Sequence, residues 1–135
     1  MRILAVDFGE KRIGLATCDA TGQVVAARRT LIRGSDEKAI REIARFCRDE
    51  EVEAVVLGIP RSPEGVESSF SGRVRSFGGK LARALQVPID YHEETLTSWE
   101  ARQEGPFQTK EEIDRAAAAV LLADYLAGNR AQGRR

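Results

Sequence analysis

The 135-residue chain has no excess of either charge, since 21 Lys+Arg stand against 21 Asp+Glu. No global basic field therefore advertises nucleic acid, and a polyanion-binding surface has to come from local clustering. A single histidine, His92, excludes a multi-histidine metal site. The two cysteines, Cys18 and Cys47, lack the paired spacing of a zinc site and are expected to be buried free thiols. Aromatic residues are few, and Trp99 and the phenylalanines fall in helical stripes or caps, which makes them packing residues rather than base-stacking platforms. No stretch approaches the roughly 20 apolar residues of a membrane span, and MRILAVDFG gains charge too soon for a signal sequence. The expected setting is soluble and cytoplasmic, with no membrane partner.

Against that background the stretch Ile3 to Asp19, ILAVDFGEKRIGLATCD, carries the first chemical signal. It reads as an apolar strand, a tight turn marked by Gly9, and a second strand. If Ile3, Ala5 and Asp7 alternate onto one face of a sheet, a carboxylate ends beside buried surface, where an ionised acid needs a cation or hydrogen-bond partner. Asp7 is thus a candidate metal ligand, although an Asp closing a strand also commonly bonds nearby backbone amides.

The remaining pattern predicts an α/β fold. Thr21-Gly22 turns the chain into a third strand over Gln23 to Ile32. Ser35 or Asp36 caps a helix carrying Ile40, Ile43, Ala44 and Cys47, which is expected to fray at the acidic run Asp49-Glu50-Glu51. Ala54 to Ile59 is a buried strand ended by Pro60. The segment RSPEGVESSFSG reads as a loop, followed by a helix with Phe70, Val74, Phe77, Leu81 and Leu85 along one stripe. Val87 to His92 reads as the fifth strand. Capping boxes at Thr97 to Glu100 and Thr109 to Glu112 open two more helices, the second ended by Gly128. Residues 1–129 form one domain, and residues 130–135 a basic tail with Arg130, Arg134 and Arg135.

Right-handed crossovers make strands four and five parallel to the first, so their C-terminal ends share one edge of the sheet, where open sheets bind ligands. That edge collects Asp7, the pair Glu93 and Glu94 after strand five, and Asp114 from the final helix. Asp114 shares a helical face with Ala118, Leu121, Leu122 and Tyr125. Each acid alone has an ordinary explanation in solvation or the helix dipole, but three on one edge form a cluster whose mutual repulsion calls for a cation. Hard oxygen donors suit Mg²⁺ or Mn²⁺. Such ions support in-line hydrolysis of a phosphodiester. Lys11, Arg12, Arg61, Arg73, Lys110 and Arg115 are the nearest basic candidates for holding nucleic acid.

With these residues placed, the chain resembles the YqgF family of small bacterial proteins, described as Holliday junction resolvases or pre-16S rRNA nucleases. The resemblance rests on LAVDFGEKRIGLATCD, VVLGIPRSPEG, HEETLTSWEA and KEEIDRAAAAVLLADYL, in that order along nearly the whole chain. It implies an RNase H-like five-stranded mixed sheet in the order 3-2-1-4-5, flanked by helices on both faces. It also implies metal-dependent cleavage of structured nucleic acid, with catalytic and metal-binding acids at Asp7, Glu94 and Asp114. The chain departs from the family pattern at Glu93, where an Asp is usual, and at Thr95, where an Arg is usual. The loss of that arginine removes a phosphate contact or ion-pair partner. The favoured substrate class is structured RNA, in 5′-end maturation of 16S rRNA. Branched DNA is the alternative, and two symmetric cuts in a four-way junction would require a homodimer. A non-catalytic alternative is a module that keeps the fold and docks on RNA, ribosomes or the transcription machinery.

Overall fold

The computed structural model describes residues 1–60, 69–94 and 109–131. Five strands, β1 (Ile3–Phe8), β2 (Arg12–Cys18), β3 (Val25–Ile32), β4 (Ala54–Pro60) and β5 (Ile89–Glu94), form one sheet in the order β3-β2-β1-β4-β5. The β1–β2 and β2–β3 pairs are antiparallel, whereas β1–β4 and β4–β5 are parallel. Three helices are described, α1 (Asp36–Asp49), α2 (Ser69–Ala84) and α3 (Lys110–Ala131). The expected mixed sheet is therefore present in the expected order.

Its two faces are filled differently. On one, Leu4, Val6, Phe8, Leu15, Val55 and Leu57 pack with Ile43, Val74, Phe77 and Leu81 from α1 and α2. Phe8 and Phe77 bring their ring centroids to 4.5 Å, a packed aromatic pair. On the other, Ile3, Ala5 and Val56 meet Leu121, Leu122 and Leu126 of α3. Along the strands this second face carries the small residues Ala5, Gly14, Ala16 and Gly58. Small residues let a helix backbone approach the sheet, and they leave room beside it for polar side chains.

Several boundaries differ from the sequence expectation, each for a local reason. Pro88 has no N–H to give the ladder, so it pairs only through its carbonyl, which accepts from the Val55 N–H at 2.9 Å. The fifth strand accordingly starts at Ile89 and continues through Glu94, because Ile59 and Pro60 extend the pairing to Glu93 and Glu94. The acidic end of α1 is closed rather than left open. The Glu51 N–H reaches the Arg48 carbonyl and the Val52 N–H reaches the Cys47 carbonyl, with Glu51 in the left-handed region at φ 55°. These paired bonds satisfy carbonyls that the helix itself cannot. At the other end the Ser35 side chain accepts from the Lys38 N–H, as its capping residue type predicts.

The helix α2 begins at Ser69, inside the segment read as a loop. Gly128 does not end α3, which runs on to Ala131 and so enters the segment read as a tail. Glycine is a poor helix former but stops a helix only by taking a left-handed φ, and Gly128 does not take one. The expected helix after Thr97, Trp99 and Arg61 lie outside the described residues. Both cysteines are buried free thiols, as expected. Burial pushes the Cys47 thiol up to about 11 and keeps it protonated and unreactive at neutral pH.

An ion-pair network ties the β1–β2 turn to both helices of the first face. Arg33 donates to the Glu10 carbonyl at 2.8 Å and to Asp36 at 2.9 Å, and lies over the Phe8 ring. Lys80 of α2 reaches the other oxygen of Asp36 at 3.2 Å. Burial alone would raise the Asp36 carboxyl, but the hydrogen bonds and charges of Lys80 and Arg33 outweigh it and hold the group below 3.8. A depressed carboxyl stabilises the fold above its unfolded value and loses that contribution as pH falls through the folded value. Asp36→Asn should therefore cost about 1 kcal/mol at pH 7, discounted for the half-exposed Lys80. Urea denaturation as a function of pH should show the difference from wild type constant above about pH 5 and vanishing in stronger acid.

Candidate functional site

The site is set by one row of residues across the sheet. Asp7 pairs with Gly14 on β2, and Gly14 in turn pairs with Thr30 on β3. On the other side the β1–β4 register runs to Val6 and Leu57, so Gly58 is the next residue on β4, and it pairs with His92 on β5. Residues opposite one another in a sheet project to the same face. Thr30, Gly14, Asp7, Gly58 and His92 thus share the face that α3 covers, and Asp7 stands between two glycines.

Each glycine makes room for one of the other acids. A Cβ on Gly14 would lie 2.1 Å from the Asp114 carbonyl oxygen and 2.5 Å from its carbon, so α3 rests there directly on the β2 backbone. A Cβ on Gly58 would lie 2.8 Å from a Glu94 carboxylate oxygen and 2.9 Å from Leu121 Cδ2. Glu94 therefore folds back over Gly58, beside Asp7. Period-two alternation along β5 decides which of the adjacent glutamates does this, because Glu94 shares the face of His92 and Glu93 does not. Asp7 is only 5% exposed, whereas Glu94 and Asp114 are partly open to solvent.

The helix α3 is fixed over this row by its first turns. The Thr109 side chain accepts from the Glu112 N–H at 3.1 Å, the capping contact that the sequence predicts. The Thr30 hydroxyl donates to the Glu111 carbonyl, and Arg12 Nε donates to Asp114 Oδ2 at 2.6 Å. From there α3 crosses toward β4 and β5, where Tyr125 meets the His92 ring edge-on at 5.7 Å and donates from its hydroxyl to Asp90 at 2.9 Å. His92 is thus a packed residue at the end of the row.

The sequence-derived acids Asp7, Glu94 and Asp114 are brought to one edge and one face. All are hard oxygen donors, which fit Mg²⁺ or Mn²⁺ in kind. As the side chains stand, no three His, Cys, Asp or Glu among the described residues close on a common point. Asp114 is engaged by Arg12 instead. Of the basic candidates, Lys11 and Lys110 are exposed near the entry of α3, and Arg115 sits over Thr30, with Nη1 at 3.5 Å from its hydroxyl. Arg73 is exposed on α2, in the opposite layer. Gly14, Gly58 and the Arg12–Asp114 pair were not legible as site features from residue type alone. A glycine inside a strand is nevertheless a signal of close approach, and two of them flanking an acid would have pointed here.

Comparison with known proteins gives the family and the fold. The family described as "RuvX: Holliday junction resolvase" matches residues 1–128. The chain belongs to the RuvX family. A relative from Trichormus variabilis, named "Putative pre-16S rRNA nuclease", is 36% identical over 129 residues, covering 91% of this chain and 85% of its own. One of the same name from Gloeobacter violaceus is 37% identical, covering 98% and 87%. Among solved structures, Thermus thermophilus RuvC superposes with a TM-score of 0.61 at 13% identity, covering 97% of both chains. The fowlpox virus resolvase in complex with Holliday junction DNA gives a TM-score of 0.58 at 16% identity, covering 95% of this chain and 98% of that one. At such identities these two likenesses establish the RNase H-like fold.

The two glycines predict different costs. Gly14→Ala puts a methyl into helix backbone and should destabilise the protein by at least about 2 kcal/mol. Gly58→Ala meets only side chains, the end of Glu94 and a methyl of the buried Leu121, which yield more readily than helix backbone, and should cost less. Urea denaturation of both variants checks the order, and equal costs would contradict a rigid seat for α3 at Gly14.

Proposed function

We propose that this RuvX-family protein is a metal-dependent endonuclease that hydrolyses phosphodiester bonds in structured RNA, with 5′-end processing of pre-16S rRNA as its cytoplasmic task. The observation that supports this reading is that the strand pairing and the close approaches at Gly14 and Gly58 bring Asp7, Glu94 and Asp114 to the same face and edge of the sheet. The relatives' names favour pre-16S rRNA over other substrates.

Asp7, Glu94 and Asp114 would hold Mg²⁺ or Mn²⁺, which when bound supplies charge neutralisation at the scissile phosphate and activation of a water. Asp7 is the fixed donor, because a strand backbone paired on both sides holds it at the centre of the sheet. Glu94 and Asp114 come from a strand end and a helix turn, and their longer reach or freer rotation adapts the site to its load. Lys11, Arg12, Lys110 and Arg115 gather on the β2–β3 side of the acids, so a phosphate backbone entering there would meet positive charge before it meets the carboxylates. Arg73, exposed on α2, is a further candidate contact. Among the described residues no helix is long and apolar enough to cross a membrane.

A second reading, resolution of branched DNA, follows from the family's description and would require two copies to make paired cuts. Incubation of the purified chain with 5′-extended 16S rRNA precursor and with four-way DNA junctions, with Mg²⁺, Mn²⁺ or chelator, separates the readings. The expected result is metal-dependent cutting of the RNA, reduced at least about a thousandfold by Asp7→Asn, as loss of a group acting directly on the transition state requires. Symmetric junction cuts with intact RNA would favour the resolvase. Cutting that survives both Asp7→Asn and chelation would overturn the assignment.

A further inference from the structure

The contact between Arg12 and Asp114 has a functional consequence of its own. Arg12 Nε lies 2.6 Å from Asp114 Oδ2, and the two side chains are 25% and 21% exposed, largely withdrawn from water. The contact joins the start of β2 to α3 across 102 residues of sequence. Two residues beyond Arg12, Gly14 fixes the backbone of Asp114 against the sheet. Backbone position and carboxylate orientation are therefore set separately: Gly14 holds the helix turn, and Arg12 holds the side chain. With the turn immobile, the Asp114 carboxylate can exchange partners by rotating about its own side-chain bonds, without moving α3.

A guanidinium and a divalent cation compete for the same oxygen. A carboxylate fully engaged by one offers less to the other, and two cations drawn to one acid repel each other. We propose that Arg12 is a positioning residue that acts as the resident counter-cation of Asp114 in the metal-free protein. Loading of the divalent ion takes Asp114 from Arg12, and the freed guanidinium turns to a phosphate of the nucleic acid. Metal loading and substrate binding are thereby coupled through one side chain. This inference rests on the metal-dependent nuclease reading of the site.

The coupling is tested by Mn²⁺ titration of the full, metal-stripped chain, following free Mn²⁺ by electron paramagnetic resonance, in wild type, Arg12→Gln, Arg12→Lys and Asp7→Asn. Removing a competitor strengthens binding by the linkage factor, so Arg12→Gln should bind Mn²⁺ about tenfold more tightly than wild type. Arg12→Lys, which keeps the charge, should fall between them. Binding of a structured RNA to Arg12→Gln should weaken in the presence of Mn²⁺, with a salt dependence reduced by about one phosphate contact. A residue that merely braced α3 would lower thermal stability and leave Mn²⁺ affinity equal or weaker, and that result overturns the proposal.

Wild type supplies an independent measurement should Arg12→Gln not fold. The ¹⁵N-labelled Arg12 side-chain Nε–H resonance should shift on saturation with Mg²⁺, and a resonance unchanged at saturation overturns the proposal. The failures are distinguishable. Wild type that binds no Mn²⁺ in an Asp7-dependent manner removes the metal site and this inference together. Wild type that binds Mn²⁺ normally, with Arg12→Gln no tighter, removes this inference alone.

Discussion

Where α3 enters the sheet, its backbone lies against the backbone of β2 with no side chain between them, because Gly14 has none. That close approach brings Asp114 within reach of Arg12 and level with the row containing Asp7. It also lowers α3 onto the small residues Ala5 and Ala16, so that Leu121 and Leu122 fill the remaining space against Val56 and Ile3. A larger residue at Gly14 would lift the helix and open the site from one side. The proposed chemistry of the edge depends on this packing, because carboxylates from three separate segments can share a ligand only if the segments are held rigidly.

The electrostatics follow from the same seat. Asp7 occupies a buried position in the middle of a sheet, where a charge is costly without compensation. The surrounding fold supplies positive charge at the side from which α3 arrives, through Arg12, Arg115 and the exposed Lys11 and Lys110. It balances that charge elsewhere, as in the Arg33–Asp36–Lys80 network, where cations are spent on holding α1 and α2 to the β1–β2 turn. A chain with no net charge can thus still present a locally basic approach to an acidic centre.

Much of this organisation was readable from residue pattern. The first hairpin, the buried run at Val55 to Ile59, the Ser35 and Thr109 caps and the stripe of α3 all follow from periodicities and capping chemistry that local sequence determines. Parallel placement of β4 and β5 follows from chain handedness, and with it the shared edge of Asp7, Glu94 and Asp114. What pattern could not supply were facts of register and contact. The slip of β5 by two residues depends on pairing with Ile59 and Pro60, and only the structure separates Glu94 from Glu93 by face. The Arg12–Asp114 pair joins residues distant in sequence, and no local rule announces it. The continuation of α3 through Gly128 shows the opposite limit, since a weak breaker need not break a helix already anchored along most of its length.

The central claim is that Asp7, Glu94 and Asp114 together bind a divalent ion. Diffraction from crystals soaked in Mn²⁺, recorded where manganese scatters anomalously, tests it most directly. A peak within about 2.3 Å of oxygens from Asp7 and at least one of Glu94 and Asp114 is the expected result. A peak bound elsewhere, or none near Asp7 at saturating Mn²⁺, would contradict it.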